Sequence, residues 1–197
     1  MAGSPPGADE ASGRPVGDDA AVLARIAKRD EAAFRQAIDD HARLLHRIAY
    51  RMTGDAHEAE DIAQEAILRL WDHAPRLAAG PKPVRIGAWL TRVATNLAID
   101  RLRLSKRMSN SEVPESADAE PLADAQMESE QTHDAARALI GALPERQRAA
   151  IVLTYYEELP NAEAAGAMDM NIKAFESLLH RARAALRVAF EHKEAAR

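Results

Sequence analysis

The sequence contains no cysteine. Disulfide bonds, thiolate catalysis and cysteine-ligated zinc or iron–sulfur sites are therefore excluded. Aromatic residues make up only 4% of the chain, while alanine, leucine and arginine are abundant, and this composition favours helices. No apolar run approaches the roughly 20 residues that span a bilayer. The N-terminus lacks a charged segment followed by an apolar one, so no secretory signal is predicted and the cytoplasm is the expected compartment.

The charged residues are distributed unevenly along the chain. The net charge of −5, taken alone, argues against a nucleic-acid partner. However, residues 85–107 hold six basic residues and one acidic residue, whereas residues 112–134 hold eight acidic residues and no lysine or arginine. A basic block beside an acidic block indicates that different segments of the chain meet different partners.

Apolar residues recur at helical spacing along most of the chain, and no strand pattern is visible. The predicted fold class is all-α, with two small helical domains joined by a flexible acidic linker. Asp30 is a candidate cap for a helix that Gly54 and its neighbours interrupt. The next helix is expected to stop near Pro75, and residues 78–84 to form a loop before a long helix that ends near Lys106.

Changes in composition divide the chain into four parts. The first 18 residues contain four glycines and three prolines, which predicts a disordered tail with a helix from about residue 20 after it. A stretch rich in serine, acids and proline predicts a linker between domains. The predicted boundaries are a tail at 1–18, a helical domain at 19–107, an acidic linker at 108–133 and a second helical domain at 134–197.

The most informative pattern runs from Asp61 to Trp71. Drawn as a helix, this stretch has two faces. An ordinary apolar stripe is formed by Ile62, Ala63, Ala66, Ile67 and Leu70. The opposite face holds Asp61, Gln64, Glu65, Leu68 and Asp72. A leucine set among solvated acids is easier to explain as a docking point for another protein than as part of the core.

The last part of the chain has the pattern of a helix-turn-helix. After a helix over residues 145–156, the pattern predicts a short helix from 161, a turn at 169–171, and a long helix from 172 to about 191 that Asn171 caps. The apolar face of the long helix holds Phe175, Leu178, Leu179, Ala182 and Leu186. The other face can reach base edges and phosphates of DNA. An amphipathic helix in a bundle would show the same periodicity.

These segments together resemble bacterial RNA polymerase sigma factors. The likeness to region 2 of that family is carried by residues 61–71 (DIAQEAILRLW) and 88–103 (AWLTRVATNLAIDRLR). The likeness to region 4 is carried by residues 143–148 (LPERQR), 161–165 (NAEAA) and 177–187 (SLLHRARAALR). The interval between them leaves no room for a region 3 domain, and this is the layout of the extracytoplasmic-function (ECF) branch. The resemblance implies a promoter-specificity factor rather than an enzyme, with no cofactor.

The resemblance also implies a partner for each of three surfaces. The clamp helices of the largest polymerase subunit would bind the face that carries Asp61, Gln64, Glu65, Leu68 and Asp72. The −10 promoter element would be recognised and melted by the helix at 89–107, with the candidates Arg92, Asn96, Arg101, Arg103, Lys106 and Arg107. The −35 element would be read by the candidates Asn171, Lys173, Glu176, Ser177, His180, Arg181 and Arg187. An anti-sigma factor is the expected regulatory partner, and no membrane insertion is expected.

Helix geometry supports part of the −10 set directly. Arg92, Asn96 and Arg103 fall within about 40° of one another, and such a stripe can follow a single strand. The amide of Asn96 offers a base both a donor and an acceptor, although a local bond to Asp100 is the alternative. Trp89 borders the apolar stripe of the same helix, so a core position is expected for it rather than base stacking.

Three positions depart from the family pattern. The family commonly has threonine and lysine where Ala174 and Glu176 stand, and the turn usually carries glycine where Asp169 stands. Aspartate tolerates the left-handed backbone that such a turn requires. The departures bear on the −35 contacts and not on the fold.

The acidic linker would thread the RNA channel of the polymerase as a mimic of nascent RNA, with a solvated tether as the alternative.

Other functions are also compatible with parts of the sequence. A sigma-like decoy that sequesters an anti-sigma factor without binding DNA would suit Glu176 and the acidic net charge, but not the basic helix at 92–107. An ordinary helix-turn-helix repressor would leave the Asp61–Asp72 face unexplained. No nucleophile and base occur in a catalytic pattern, and the seven histidines show no ligand spacing for a metal.

Overall fold

A computed structural model of the chain describes residues 16–109 and 137–195. Every regular element in these two ranges is helical, which confirms the predicted all-α fold class. The N-terminal unit contains α1 (Val16–Ala27), α2 (Glu31–Thr53), α3 (Ala56–Ala78) and α4 (Ile86–Ser109). In the C-terminal unit, helical residues 137–141 precede α5 (Glu145–Ile151), a π-helical turn (Val152–Tyr156), α6 (Asn161–Ala167) and α7 (Ile172–Ala195).

The core of the N-terminal unit lies between α2, α3 and α4, and α1 packs on α3 and α2. The apolar stripe predicted for α3 is buried at each of its positions: Ile62, Ala63, Ala66, Ile67 and Leu70. From α4 the core receives Leu90, Ala94, Leu97 and Ala98. One face of α3 is therefore committed to the core, and its opposite face remains at the surface. The buried part of α4 is wider, because Thr91, Thr95 and Ile99 are buried as well.

Both ends of α2 follow from local chemistry. Asp30 is the N-cap, as predicted, and its Oδ1 accepts hydrogen bonds from the amides of Ala32 and Ala33 at 3.0 and 3.1 Å. Its Oδ2 accepts a third bond from Arg25 Nε at 2.8 Å. At the other end Gly54 adopts a left-handed φ of 76°, a backbone that glycine reaches without a Cβ penalty. The predicted break between α2 and α3 is therefore present.

The expected end of α3 near Pro75 is wrong, because α3 continues to Ala78 with Pro75 inside its last turns. Proline has no amide hydrogen to donate to the carbonyl of Trp71, four residues earlier. That oxygen accepts instead from Arg29 Nη1 at 2.9 Å, and the Arg29 guanidinium lies 4.8 Å from the centre of the Trp71 ring. A partner from outside the helix thus replaces the missing hydrogen bond.

The C-terminal unit is built around the apolar face predicted for α7. Its buried residues on α7 are Phe175, Leu178, Leu179 and Ala182. Asn171 caps α7 as predicted, since its Oδ1 accepts from the Ala174 amide at 2.9 Å. Asp169, in the turn between α6 and α7, has a left-handed φ of 53°. The helix-turn-helix arrangement expected from the sequence is therefore formed.

Several predicted boundaries shift by a few residues. The first helix begins at Val16, so residues 16–18 belong to α1 rather than to the tail. At its C-terminal end α4 reaches Ser109, and α7 reaches Ala195. The rest of the tail, residues 1–15, and the linker from residue 110 onward lie outside the described residues. Among the helices at 16–109 and 137–195, none has the length and apolar character to cross a bilayer.

The cap of α2 gives a prediction for stability. Replacing Asp30 by alanine removes two bonds to otherwise unpaired amides, and we expect the equilibrium constant for unfolding to rise about fivefold. Chemical denaturation followed by circular dichroism measures this change. The matched control is Asp39→Ala, an exposed acid on the same helix, which should change stability by less than about 0.5 kcal/mol.

The same carboxylate predicts a pH dependence. The hydrogen bond from Arg25, followed by that from the Ala33 amide, holds the pKa of Asp30 below its ordinary value of 3.8. The pKa of Asp30 is lower in the folded state than in the unfolded state. The carboxylate therefore contributes its full stabilisation at pH values above the unfolded-state pKa, and this stabilisation is lost as the pH falls through the folded-state pKa. The stability difference between wild type and Asp30→Ala should therefore shrink below pH 3.8. An undiminished difference in strong acid would contradict this assignment.

Candidate functional site

The face of α3 opposite the core presents the residues predicted to bind polymerase. Asp61, Gln64, Leu68 and Asp72 are exposed, and Glu65 is half-buried. Leu68 is 59% exposed, whereas its neighbour Ile67 is 9% exposed. The leucine is therefore held in solvent by a helix whose other side is fixed in the core. We call Asp61, Gln64, Glu65, Leu68 and Asp72 the α3 face.

The acids of the α3 face differ in their partners. Glu65 accepts from Arg69 Nη2 at 2.6 Å on one side, and Arg101 Nη2 of α4 lies 3.6 Å from it on the other. Within residues 16–109 and 137–195 the structure gives no ion pair to Asp61 or Asp72. The unpaired carboxylates are the ones available to a basic partner, while Glu65 ties the α3 face to α4.

Two residues of the predicted −10 stripe on α4 meet the same carboxylate. Arg92 Nη2 lies 2.6 Å from Asp169 Oδ1, and Asn96 Nδ2 lies 3.5 Å from Asp169 Oδ2. The local bond from Asn96 to Asp100 is not formed, because Asp100 faces Arg103 at 3.8 Å. The turn before α7 is therefore in contact with the stripe that was predicted to follow single-stranded DNA.

The remaining basic candidates of α4 do not lie on one stripe. Arg101 is nine residues after Arg92, which is half a turn out of phase at 3.6 residues per turn. It accordingly points to α3, with its Nη1 3.0 Å from Glu58. Lys106 Nζ lies 3.8 Å from Glu145 of the C-terminal unit, and Arg107 is exposed. Arg101 thus joins two helices of the N-terminal unit and does not face the same way as Arg92.

Trp89 takes the position expected from its neighbours. It is half-buried, packs against the core, and its ring lies 5.9 Å from that of His73 on α3. The indole is therefore shared between α3 and α4 and is not presented as a free stacking surface.

The −35 candidates all lie on the exposed side of the helix-turn-helix. The exposed residues are Asn171, Lys173, Glu176, Ser177, His180, Arg181 and Arg187. Two of them have local roles as well: Asn171 caps α7, and Ser177 Oγ donates to the Lys173 carbonyl at 2.9 Å. Glu176 places a carboxylate among four basic or ionisable side chains. The face is therefore mainly basic, with one acidic position.

A buried carboxylate joins the two units. Glu157, just after the π-helical turn, has a side chain only 1% exposed and is paired with Arg47 and Arg51 of α2. Arg47 Nη2 lies 2.6 Å from Glu157 Oε2, and this hydrogen bond raises the pKa of Arg47. The Arg51 guanidinium also lies 4.6 Å from the centre of the Tyr156 ring.

Arg148 makes a second buried connection between the units. Its side chain donates to the Met52 carbonyl of α2 and to the Gly141 carbonyl. Burial lowers the pKa of Arg148. Since Met52 lies in the last turn of α2, one arginine closes the C-terminal end of that helix and fixes the start of α5 beside it.

Sequence reasoning missed the acidic residues of the C-terminal unit that face the basic side of the N-terminal unit. These are Glu145, Glu157, Glu163 and Asp169, whose partners lie on α2, on α4 and, for Glu163, at Arg85 just before α4. Glu157 and Arg47 are separated by 110 residues, so no local periodicity connects them. The only sign of these contacts in the sequence was Asp169, which stands where the family usually has glycine. No metal-binding group of acids and histidines occurs in the part of the chain that the structure describes.

Two family models match the chain. Residues 37–108 match Sigma-70 region 2, and residues 133–186 match Sigma-70, region 4. The chain is 32% identical over 177 residues to the ECF RNA polymerase sigma factor SigW of Bacillus subtilis, a match that covers 84% of this chain and 92% of SigW. It is 36% identical over 176 residues to the ECF RNA polymerase sigma factor SigL of Mycobacterium tuberculosis, covering 86% and 97% of the two chains.

Two solved structures share the fold. CnrH in complex with the cytosolic domain of CnrY matches with a TM-score of 0.62 and 23% identity, covering 88% of this chain and 97% of CnrH. The sigma factor RpoE in complex with the anti-sigma factor NepR from Bartonella quintana matches with a TM-score of 0.61 and 21% identity, covering 80% and 96%. These likenesses extend over both units of the chain.

Proposed function

Because the chain belongs to the ECF sigma factors of RNA polymerase, we propose that it binds core RNA polymerase and directs initiation at promoters with −35 and −10 elements. The observation that carries this proposal is the α3 face, where the exposed Leu68 is surrounded by Asp61, Gln64 and Asp72. An apolar centre with a polar rim has the anatomy of a protein interface.

The clamp helices of the largest polymerase subunit are the proposed partner of the α3 face. Basic residues of the clamp would approach the unpaired Asp61 and Asp72, while an apolar residue would cover Leu68. Glu65 would contribute less charge, because Arg69 and Arg101 already lie beside it. Binding at this surface is independent of the promoter that is chosen.

Promoter choice is assigned to α4 and α7. Arg92 and Asn96 would contact the single-stranded −10 element, and captured bases would contribute about 1–3 kcal/mol each where they stack. On α7 the residues near its start, Lys173 and Ser177, would reach base edges in the major groove, while Arg181 and Arg187 would contact phosphates. Glu176 could accept a hydrogen bond from a cytosine amine. No covalent chemistry is involved.

An anti-sigma factor is the proposed regulator. The support is the similarity of fold to RpoE, which was solved with the anti-sigma factor NepR. A protein that covers the α3 face or the basic side of α4 would compete directly with polymerase or promoter DNA. Such a partner would keep the factor inactive until it is released.

A decoy function remains as a second candidate, favoured by the exposed Glu176 on the face proposed to read the −35 element. A decoy would bind an anti-sigma factor and would not bind DNA. The two functions differ in one outcome: only a promoter-specificity factor supports transcription when it is added to core polymerase. Mapping transcription start sites after overexpression would identify the promoters to use.

The α3 face predicts which substitutions abolish polymerase binding. Asp61→Lys and Leu68→Ser should each weaken binding to core polymerase by about tenfold or more, as expected for the centre of an interface. Their thermal unfolding should match that of wild type, because both side chains are exposed. Asp39→Lys, with the same charge change at an exposed site on α2, is the matched control for Asp61→Lys. Core binding that survives both substitutions would show that polymerase contacts another surface.

The two proposed DNA surfaces predict different rescue conditions. Asn96→Ala should lower run-off transcription from a duplex promoter about tenfold or more, and a template with a pre-opened −10 bubble should restore much of it. Arg181→Ala should lower transcription only from templates that retain the −35 element. The dependence of DNA affinity on salt concentration should also be smaller in this variant, by about the slope that one phosphate contact contributes. The control is Arg43→Ala, an exposed arginine of α2. If all three variants behave alike on every template, the assignment of α4 and α7 is wrong.

A further inference from the structure

An acidic residue of α1 caps the start of α4. Asp19, in the first turn of α1, is only 8% exposed. Its Oδ2 accepts a hydrogen bond from the Ile86 amide at 3.1 Å, and this buried contact joins residues that are 67 positions apart. A buried carboxylate is tolerated where a donor offsets its loss of hydration. The bond therefore ties the first residue of α4 to the first helix of the N-terminal unit.

The local sequence of α4 does not supply this cap. The Arg85 carbonyl accepts from the Trp89 amide at 3.0 Å, so Arg85 stands at the position just before α4 where a capping side chain is normally found. A guanidinium cannot accept a hydrogen bond, and the first turn of α4 contains no acidic residue. Asp19 therefore supplies, from another helix, both the acceptor and the negative charge that favour a helix start.

The first turn of α4 is also held from a second side. The Ile86 side chain is buried in the core, and a Cβ added at Gly87 would lie 3.2 Å from His41 Cε1 on α2. The helix α1 is itself anchored through buried apolar residues, which are Val22, Leu23 and Ile26. The start of α4 is therefore fixed relative to both α1 and α2.

Arg85 continues the −10 stripe of α4 beyond the helix start. It precedes Arg92 by seven residues, which at 3.6 residues per turn places the two within about 20° of each other and about 10 Å apart along the axis. Both side chains reach acids of the C-terminal unit, Glu163 at 3.6 Å and Asp169 at 2.6 Å, so they point the same way. Because the Arg85–Glu163 pair is nearly half exposed on both sides, it is weak, and a phosphate can replace the carboxylate.

We propose that Asp19 is a positioning residue for promoter opening, because its cap on α4 holds Arg85 in line with the −10 stripe, where the guanidinium contacts a phosphate of the promoter strand. The inference rests on the proposed role of α4 at the −10 element and adds two residues to it. Asp19 is buried, so it acts through Arg85 and not by touching DNA. Without the cap the first turn frays, and the guanidinium no longer has one position.

Hydrogen exchange in the free full-length chain, followed by NMR, tests the cap. Asp19→Ala leaves the buried Ile86 amide without its acceptor, and exchange of this amide should become about tenfold faster or more. The matched control is Asp30→Ala, which removes the carboxylate cap of α2 in the same unit and should leave the exchange of Ile86 within about twofold of wild type. Unchanged exchange in Asp19→Ala would overturn the cap.

Initiation with core polymerase on a duplex promoter tests the consequence. Asp19→Ala should initiate about threefold to tenfold more slowly than Asp30→Ala, at a temperature where both variants are folded. Arg85→Ser should lower initiation by a similar factor, and the dependence of promoter affinity on salt concentration should fall by about the slope of one phosphate contact. Binding to core polymerase should not change in any of these variants, because the α3 face is intact.

The double variant Asp19→Ala/Arg85→Ser separates positioning from folding. Serine at position 85 gives α4 a cap within its own sequence, so the first turn should regain protection from exchange. Initiation should not recover and should equal that of Arg85→Ser alone, because Asp19 acts through the guanidinium. Initiation at the wild-type level would overturn the role of Arg85. A loss equal to the product of the two single losses would overturn the link between Asp19 and Arg85.

The outcomes also separate this inference from the proposed function. If Asp19→Ala does not fold, Arg85→Ser alone still decides, because unchanged initiation and salt dependence would overturn the phosphate contact. Equal initiation by Asp19→Ala and Asp30→Ala would overturn the inference and leave the proposed function standing, provided that wild type initiates. Failure of wild type to initiate with core polymerase would instead overturn the proposed function, and exchange of the Ile86 amide would still decide whether Asp19 caps α4.

Discussion

The packing of α4 against α2 and α3 is the constraint on which the rest of the structure depends. Leu90, Ala94 and Leu97 bury one side of α4, and this fixes the rotation of the helix about its axis. Once that rotation is set, Arg92 must be exposed and Asn96 half-buried beside it, and Arg101, half a turn from Arg92, must return to α3. The direction of each basic side chain is therefore a consequence of the apolar core.

Electrostatic complementarity between the units is the second organising element. Glu157 is removed from water by the contact, and a desolvated carboxylate is tolerated because two guanidiniums and their hydrogen bonds replace its hydration. Arg148 is stabilised differently, because its hydrogen bonds go to the backbone carbonyls of Met52 and Gly141. Around these buried groups the exposed pairs add selectivity for one arrangement of the units more than they add free energy.

The sequence predicted those features that are determined by neighbouring residues. The cap at Asp30, the break at Gly54 and the cap at Asn171 each depend on side chains within three or four positions, and each was predicted correctly. Both faces of α3 were predicted for the same reason, since helical periodicity is local. Pro75 was misjudged because the partner of the freed Trp71 carbonyl, Arg29, is 42 residues away.

What the sequence could not predict is how the two units meet. The acids at Glu157 and Glu163 look like ordinary solvated charges until their distant partners are known. For the same reason, the position of Arg92 and Asn96 was predicted, but their occupation by Asp169 was not. The exposure and the contacts of these residues are properties of the fold.

The arrangement of the two units is sensitive to the number of residues in the π-helical turn Val152–Tyr156. A turn of this kind contains about one residue more than a regular α-helical turn, and here the amide of Glu157 donates to Val152, five residues back. Loss of a single residue from this turn would restore a regular helix and rotate Glu157 by about 100° around the axis. The carboxylate would then point away from Arg47. The number of residues in this turn therefore determines whether Glu157 can reach its partner on α2.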